Sequence, residues 1–280
     1  MIELSSQMQQ FFPEPNAFDK VTVAEGDVVR AKEGRRTFRF EHDNKGYFAK
    51  VHMGIGWGEI WKNLSQFRLP VVDASNEWKA VKLLESVNVD TVSIVGKGVR
   101  GLNPATRQSF VIMDELHEKI ELEDFLKDFG GVTGEKALRL KRKLVRTVAA
   151  AARNMHGAGM NHRDFYLCHF HIEDRDWSTW SEDEAIRLPL LDLHRAQIRS
   201  AVPRRWLAKD LGALLFSAID CQISDRDLVA FLKEYLGAEW KTELAKNSGV
   251  WKDVVKRASG FYQKHRGKPP ELPGVFANFS

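Results

Sequence analysis

Residues 161–170 read NHRDFYLCHF. Ten residues hold His162, Asp164, Cys168 and His169, all able to titrate or bind metal. Three readings compete: a phosphotransfer loop, a metal site, or an accident of composition. A carboxylate fixed on a rigid loop can take a proton from a hydroxyl as that oxygen attacks a γ-phosphate. Asp164 follows a long helical pattern and the turn GAGM, so it suits that task.

Working outward, phosphotransfer needs three more groups. A second carboxylate must hold a metal ion against the phosphates, on a strand after the loop. Asp192, in LLDLH, lies 28 residues on. A cation must reach the α- and β-phosphates, and Lys50 in YFAKV resembles the VAIK word of kinases. An acid on the next helix must orient that lysine, and Glu77 lies 27 residues on. Each signal alone is weak: a strand lysine is usually solvated and a helix Glu usually faces water. Their order is specific: strands, lysine, helix with Glu, hinge-like apolar strand, long helix, HRD, strand with Asp. That order predicts an α+β, bilobal protein-kinase-like fold, with a strand-rich N-lobe over 1–115 and a mostly helical C-lobe over 116–280. His162, Arg163 and Asp164 are the candidate catalytic group. Lys50, Glu77, Gly34, Arg35 and Glu115 are assigned to the cofactor side.

Bulk composition is compatible with this. The chain has 280 residues, 43% hydrophobic, with 17 Phe and 8 Trp, enough for a substantial core. A net charge of +4 permits anionic partners without selecting one. Two cysteines make no disulfide framework and favour a reducing compartment. The N-terminus lacks the layout of a signal peptide, and no window is apolar enough to span a membrane. A cytoplasmic location is expected, peripheral attachment to the inner membrane's cytoplasmic face being compatible with it.

The element pattern follows the same division. Residues 27–52 alternate around the turns EGR and DNKG, predicting three antiparallel strands. GIGWGEIWKNL (54–64) is glycine-rich and then helical, and 75–87 is helical from a Ser75 cap. Strands TVSIVGKGV and QSFVIMDEL flank the loop 100–107. Helices are expected at 119–129, 135–158, 206–219, 225–236 and 240–259, with a strand at 190–194 and an irregular tail after 266. Arg139, Lys141, Arg142, Lys143 and Arg146 read as the solvent face of the long helix. Asp210 either reaches back to hold the catalytic loop or simply starts a helix.

The departures from the protein-kinase pattern are informative. His169 stands where the kinase loop has Asn, so it takes a second metal, orients a phosphate, or is structural. DLH replaces DFG and no APE word follows, which points away from a signalling kinase. No G-x-G-x-x-G precedes Lys50; the turn EGRR, with Gly34 and Arg35, is the candidate phosphate cover. Zinc at Cys168, His169 and His171 has poor ligand spacing. Nucleic acid is not an expected partner, because strand alternation accounts for RRTFRF.

Six blocks carry a resemblance: VVRAKEGRRTFRF, GIGWGEIWKNL, LPVVDASNEW, NHRDFYLCHF, LLDLHRAQIR and VPRRWLAKDL. In this order, over about residues 15–265, the chain resembles the lipopolysaccharide core heptose kinase family of Gram-negative bacteria. It departs from that family's HRDCYICHF at Phe165 and Leu167. The resemblance implies ATP with Mg²⁺ and transfer to the 4-hydroxyl of the first heptose. It implies Asp164 as base, Asp192 on the metal and Lys50 on the nucleotide, while His169 keeps its three readings, that of a second metal ligand among them. Arg195, Arg199, Arg204 and Arg205 would line the acceptor side, since arginine forks pair with carboxylate and phosphate. Expected partners are the inner-core glycolipid, ATP, an acidic or acyl-bearing protein and the inner-membrane surface. A Kdo kinase, a protein-tyrosine kinase and a non-catalytic pseudokinase are the alternatives.

Overall fold

The computed structural model describes residues 1–280 except 33, 67–69, 222 and 280. Glu33 of the EGRR turn and Leu69 of LPVVDASNEW therefore lie outside the described residues. The chain forms two compact units. The first comprises Met1–Lys82, Val92–His117 and Leu193–Arg195; the second comprises Leu83–Thr91, Glu118–Asp192 and Ala196–Ser280. The sequence reading drew one line at 115/116, whereas the chain changes unit at 117/118 and also exchanges 83–91 and 193–195.

The first unit runs β1 (Ile2–Leu4), α1 (Ser6–Phe11), α2 (Ala17–Val23), β2 (Asp27–Lys32), β3 (Arg35–His42) and β4 (Lys45–His52), then α3 (Gly56–Ser65), α4 (Ser75–Ser86), β5 (Ile94–Arg100) and β6 (Gln108–Asp114). α4 continues into the second unit. Six strands form one antiparallel sheet in the order β1-β5-β6-β4-β3-β2. The alternation read from sequence fixes its faces. Phe38, Phe40, Tyr47, Ala49, Val51, Phe110 and Ile112 are buried with Met8, Phe12 and Val21 from α1 and α2. Lys50, between Ala49 and Val51, belongs to the opposite face. The turn from β3 to β4 has Asp43 and Asn44 at φ 50° and 59°, the geometry a two-residue hairpin needs. Gly34 (φ 74°) has no room for a side chain: a Cβ there would lie 2.3 Å from the Gly54 carbonyl oxygen. The Met53 amide donates to the Gly34 carbonyl at 2.7 Å, so the EGRR turn rests on the start of the GIGWG segment.

The second unit runs β7 (Lys119–Glu121), α5 (Leu122–Asp128), α6 (Gly134–Gly157), β8 (Met160–Asn161), β9 (His171–Glu173), β10 (Gln197–Ile198), α7 (Arg204–Ile219), α8 (Asp225–Leu236), α9 (Trp240–Lys246) and α10 (Ser248–Arg266). β8 pairs with β10 and β7 with β9, all antiparallel. Its main core joins Ala208, Leu211 and Leu215 of α7 to Leu228 and Leu232 of α8, Trp251, Val254 and Val255 of α10, and Phe276.

Several expected elements differ. The helix expected over 119–129 begins as β7, because Lys119–Glu121 pairs with His171–Glu173. The helix expected over 240–259 is two helices that break at Asn247. LLDLH is not a strand. Leu190 bridges Thr91 and Phe170, then Asp192 at φ 60° ends the extension and Leu193–Arg195 forms a 3-10 turn. α6 buries Leu140, Leu144, Val148, Ala152 and Met155 at helical spacing. Lys141 is not on its solvent face. It is buried against Asp227, 2.9 Å from the carboxylate that also closes the Ser224 capping box of α8. Among the described residues no helix is long and apolar enough to cross a membrane.

Candidate active site

The loop NHRDFYLCHF is anchored by its apolar members. Phe165, Leu167 and Phe170 are buried, and the rings of Phe165 and Phe170 meet edge-on at 5.4 Å. Phe165 is completely enclosed and fills core volume. Between these anchors Asp164, Tyr166, Cys168 and His169 remain partly exposed. The backbone is held from α7. Asp210, fully buried, accepts the His162 amide at 2.6 Å and the Arg163 amide at 2.8 Å. Ser217 Oγ accepts the Leu167 amide at 2.9 Å. Behind Asp210 stands His156, with Nε2 at 3.5 Å from Oδ2 and Nδ1 hydrogen-bonded to the Tyr235 hydroxyl at 2.9 Å. Arg163 sits at φ 79°, a region a side chain occupies only under constraint, and the two amide bonds to Asp210 supply that constraint. Of the two readings of Asp210, reaching back to the loop is the observed one.

Asp192, His169 and His162 share one neighbourhood in this unit. The Leu191 amide donates to the His169 carbonyl at 2.9 Å. His162 Nε2 donates to the Leu191 carbonyl at 2.8 Å, and its ring stacks on His169 at 5.6 Å. Burial holds the His162 pKa below the ordinary imidazole range, so the ring is neutral. Asp192, like Arg163, has a positive φ. Among the described residues no three His, Cys, Asp or Glu side chains gather as a metal cage. Asp192 offers one carboxylate, the donor set of a hard divalent ion that completes its shell with nucleotide phosphates and water. Burial raises the Cys168 thiol to about 11, which keeps it protonated and a poor ligand or nucleophile.

In the strand-rich unit, Lys50 Nζ lies 2.5 Å from Glu77 Oε1. The lysine side chain is 22% exposed and the glutamate 4%. The start of α4 is pinned so that Glu77 reaches β4. The Ala74 amide donates to Ser109 Oγ on β6, and Asp73 Oδ1 accepts the Ser75 amide. Asp73 also pairs with Arg107 at 3.1 Å. Despite burial, the Ser75 hydrogen bonds and Arg107 hold the Asp73 pKa below the usual carboxylate range. Asp73 and not Ser75 therefore caps this helix start. His52, two residues after Lys50, is buried, and its pKa falls to about 4. Burial is the main cause, with the Arg35 charge adding to it.

The remaining cofactor-side candidates belong to the same unit. Arg35 donates to the Val71 carbonyl beside Gly34's turn. Glu115 is bound to Arg39 Nε at 2.7 Å, and that hydrogen bond lowers its pKa. Its carboxylate also fills the space over Gly46, where a Cβ would approach within 1.7 Å. Glu115 thus braces the sheet, an office the sequence reading did not give it.

The four acceptor-side arginines are held by different surroundings. Arg195 belongs to the strand-rich unit through the turn Leu193–Arg195. Arg204 pairs with Asp253 of α10 at 2.9 Å. Arg199 donates to Asn161 Oδ1 at 2.6 Å and, with Arg205, lies near the Trp206 ring. Sequence reasoning missed Lys209, whose Nζ is 3.7 Å from Asp164 Oδ1, because one turn of α7 and a distant loop have to meet before the pair exists.

The description "Lipopolysaccharide kinase (Kdo/WaaP) family" matches residues 19–235. The chain is 42% identical over 247 residues to the lipopolysaccharide core heptose(I) kinase WaaP of Pseudomonas aeruginosa, covering 88% of this chain and 90% of that protein. It is 44% identical over 239 residues to the protein of the same description from Escherichia coli K12, covering 85% and 88%. A solved structure, "WaaP in complex with acyl carrier protein", matches with a TM-score of 0.78 at 36% identity, over 94% of this chain and 99% of that one.

Proposed function

The chain belongs to the lipopolysaccharide kinase (Kdo/WaaP) family, and from that premise we propose that it phosphorylates the 4-hydroxyl of the first heptose of the lipopolysaccharide inner core. It is a phosphotransferase of the protein-kinase-like fold, with ATP as donor. The observation that carries the assignment of the base is Asp164 itself. It is partly exposed on a loop whose two preceding amides are fixed by one buried carboxylate, Asp210. A base so held needs little reorganisation to meet a hydroxyl.

In this reading the strand-rich unit holds the nucleotide. Lys50, oriented by Glu77, binds the α- and β-phosphates, and Gly34 and Arg35 cover them. Asp192 would hold Mg²⁺, with His169 as the second candidate ligand, and the ion would supply neutralisation of the phosphate charge. His162 and Arg163 are buried and act by positioning Asp164. Arg195, Arg199, Arg204 and Arg205 face the acceptor's anionic groups, Arg204 only after release from Asp253. The enzyme works at the cytoplasmic face of the inner membrane, where its glycolipid acceptor is anchored.

An acyl-bearing protein partner is part of the same proposal. The relative above was solved with an acyl carrier protein. The helical unit of this chain contains an apolar cavity of about 90 Å³ lined by Leu122, Leu144, Leu214, Ala218, Phe231 and Trp251 among others. The deciding experiment is transfer of labelled phosphate from Mg-ATP to dephosphorylated inner-core lipopolysaccharide. Wild type should label heptose and Asp164→Ala should fall by about 10³-fold, with ATP affinity kept. Wild-type turnover by Asp164→Ala would remove the base; labelling of Kdo or of protein tyrosine would move the assignment to those acceptors.

A further inference from the structure

Helix α3 turns a stripe of large apolar side chains to solvent. Trp57, Trp61 and Leu64 follow the spacing i, i+4, i+7 and share one face. All three are exposed, Trp57 by 51% and Trp61 by 65%, and so is Met53 just before the helix. The helix start rests on the loop between β5 and β6. The Gly56 amide donates to the Ala105 carbonyl at 2.9 Å, and a Cβ on Gly54 would lie 2.6 Å from the same oxygen. That loop carries Leu102, which is 94% exposed. Arg107 fixes the backbone beneath it. Its Nε donates to the Gly101 carbonyl at 3.3 Å, Nη2 to the Leu102 carbonyl at 3.2 Å, and Nη1 to Asp73 at 3.1 Å. Asn103 Oδ1 accepts the Ala105 amide at 2.9 Å. The charges nearby are balanced within the protein: Arg107 by Asp73, and Glu59 by Lys62 at 3.3 Å, with Asn63 donating to it at 2.9 Å.

Large apolar groups gathered in water mark a contact surface. Its size argues against a folded protein or a second copy. A buried aromatic side chain covers about 150–250 Å², so at these exposures the five side chains present on the order of 500 Å². A stable complex takes about 800 Å² from each partner. A bilayer sets no such threshold. An indole suits its headgroup boundary, with the ring towards the acyl chains and the N–H among ester and phosphate oxygens. A short helix with one apolar face lies in that plane. We propose that α3 and the loop between β5 and β6 insert Trp57, Trp61, Leu64 and Leu102 into the headgroup–acyl boundary of the membrane. The choice of a bilayer rests on the proposed glycolipid acceptor, and the inference deepens that reading by naming the surface that holds the enzyme to it. The Met53 amide is bonded to the Gly34 carbonyl, so the inserted segment begins beside the turn proposed to cover the phosphates. Held there, the enzyme meets its acceptor in two dimensions instead of three.

The test is flotation of the full-length protein with vesicles of phosphatidylcholine alone, first without ATP or acceptor. Wild type should float, and equally at high salt, because insertion and not net charge drives the binding. Trp61→Ser and Leu102→Ser should each lower the partition coefficient about tenfold, the effect of withdrawing one large apolar side chain from lipid. Leu138→Ser, the same change at an exposed site on α6, should float as wild type does. If Trp61→Ser lowers the unfolding midpoint, Leu102→Ser carries the test. Absence of flotation, flotation abolished by salt, or equal behaviour of the three variants overturns the proposal. So does a self-associated protein that Trp61→Ser turns into monomer without any vesicle binding, which would assign the stripe to a second copy. With ATP added, Trp61→Ser and Leu102→Ser should lose about tenfold in kcat/KM on inner-core lipopolysaccharide held in vesicles, and nothing on lipid-free inner-core oligosaccharide. Equal losses on both acceptors overturn the insertion. Should wild type phosphorylate neither acceptor, the proposed function fails, while flotation still decides the insertion.

Discussion

Lys50 and Glu77 show what a single residue contributes to stability and to function. Glu77 is nearly enclosed, and its charge is balanced across 2.5 Å by Lys50. Lys50→Met leaves a buried carboxylate without its cation, a change that costs about 3 kcal/mol. Replacing both by Met should restore much of the melting temperature while leaving ATP use abolished; recovery of activity with stability would remove the nucleotide role. His52 makes a pH prediction. Its pKa falls from the ordinary 6.5 to about 4 on folding, through burial first, then Arg35, with Lys50 and His194 adding and Asp73 opposing. The folded state therefore favours the neutral ring. That stability is complete above pH 6.5 and is lost as pH falls towards 4, on the order of 3 kcal/mol in all. Denaturant unfolding across that window should show a slope that His52→Gln flattens; an unchanged slope would assign the loss to other groups. The Lys50–Glu77 pair was legible in the sequence because the order of the two along the chain is itself the signal. His52 and Lys209 were not, because the groups that act on them are distant in sequence.

Elements explain how the loop NHRDFYLCHF is held. α7 presents Asp210 and Ser217 on one face, two turns apart, and between them they accept three loop amides. Asp210→Ala should leave the His162 and Arg163 amides without acceptors and relax Arg163 from its positive φ. Displacing the base by about 1 Å costs about 10²-fold in rate. The expected result is a fall in kcat with both KM values little changed, and faster hydrogen exchange at those two amides. Unchanged exchange with reduced kcat would place the effect elsewhere. At this scale the long periodic helices and the alternating strands were readable, since their buried faces repeat over several turns or pairs. The helices α1 and α2 were not: six and seven residues hold too few turns to display a period, and only the sheet they cover makes them helical. LLDLH misled for the opposite reason, because its apolar run imitates a strand while Asp192's positive φ forbids one.

At the scale of the whole molecule, the two units differ in what completes them. The strand-rich unit closes its own core with α1 and α2. The helical unit contains an apolar cavity of about 90 Å³, walled by α5, α6, α7, α8 and α10 and edged by the Lys141–Asp227 pair. An apolar cavity of about 150 Å³ takes up benzene, so this volume accepts a run of methylenes with modest spreading of its helices. Void of that kind forfeits packing energy, at about 24 cal/mol per Å³. An acyl chain presented by a protein partner would recover that energy, and the folded state would gain stability with its concentration. Thermal unfolding should therefore rise by several degrees with an acyl-loaded carrier protein, less with the unloaded carrier. Ala218→Leu, which grows into the same space, should raise the midpoint on its own and abolish the response. A response equal for loaded and unloaded carriers would place the partner's contact on the surface instead, leaving the cavity as a packing defect that Ala218→Leu repairs.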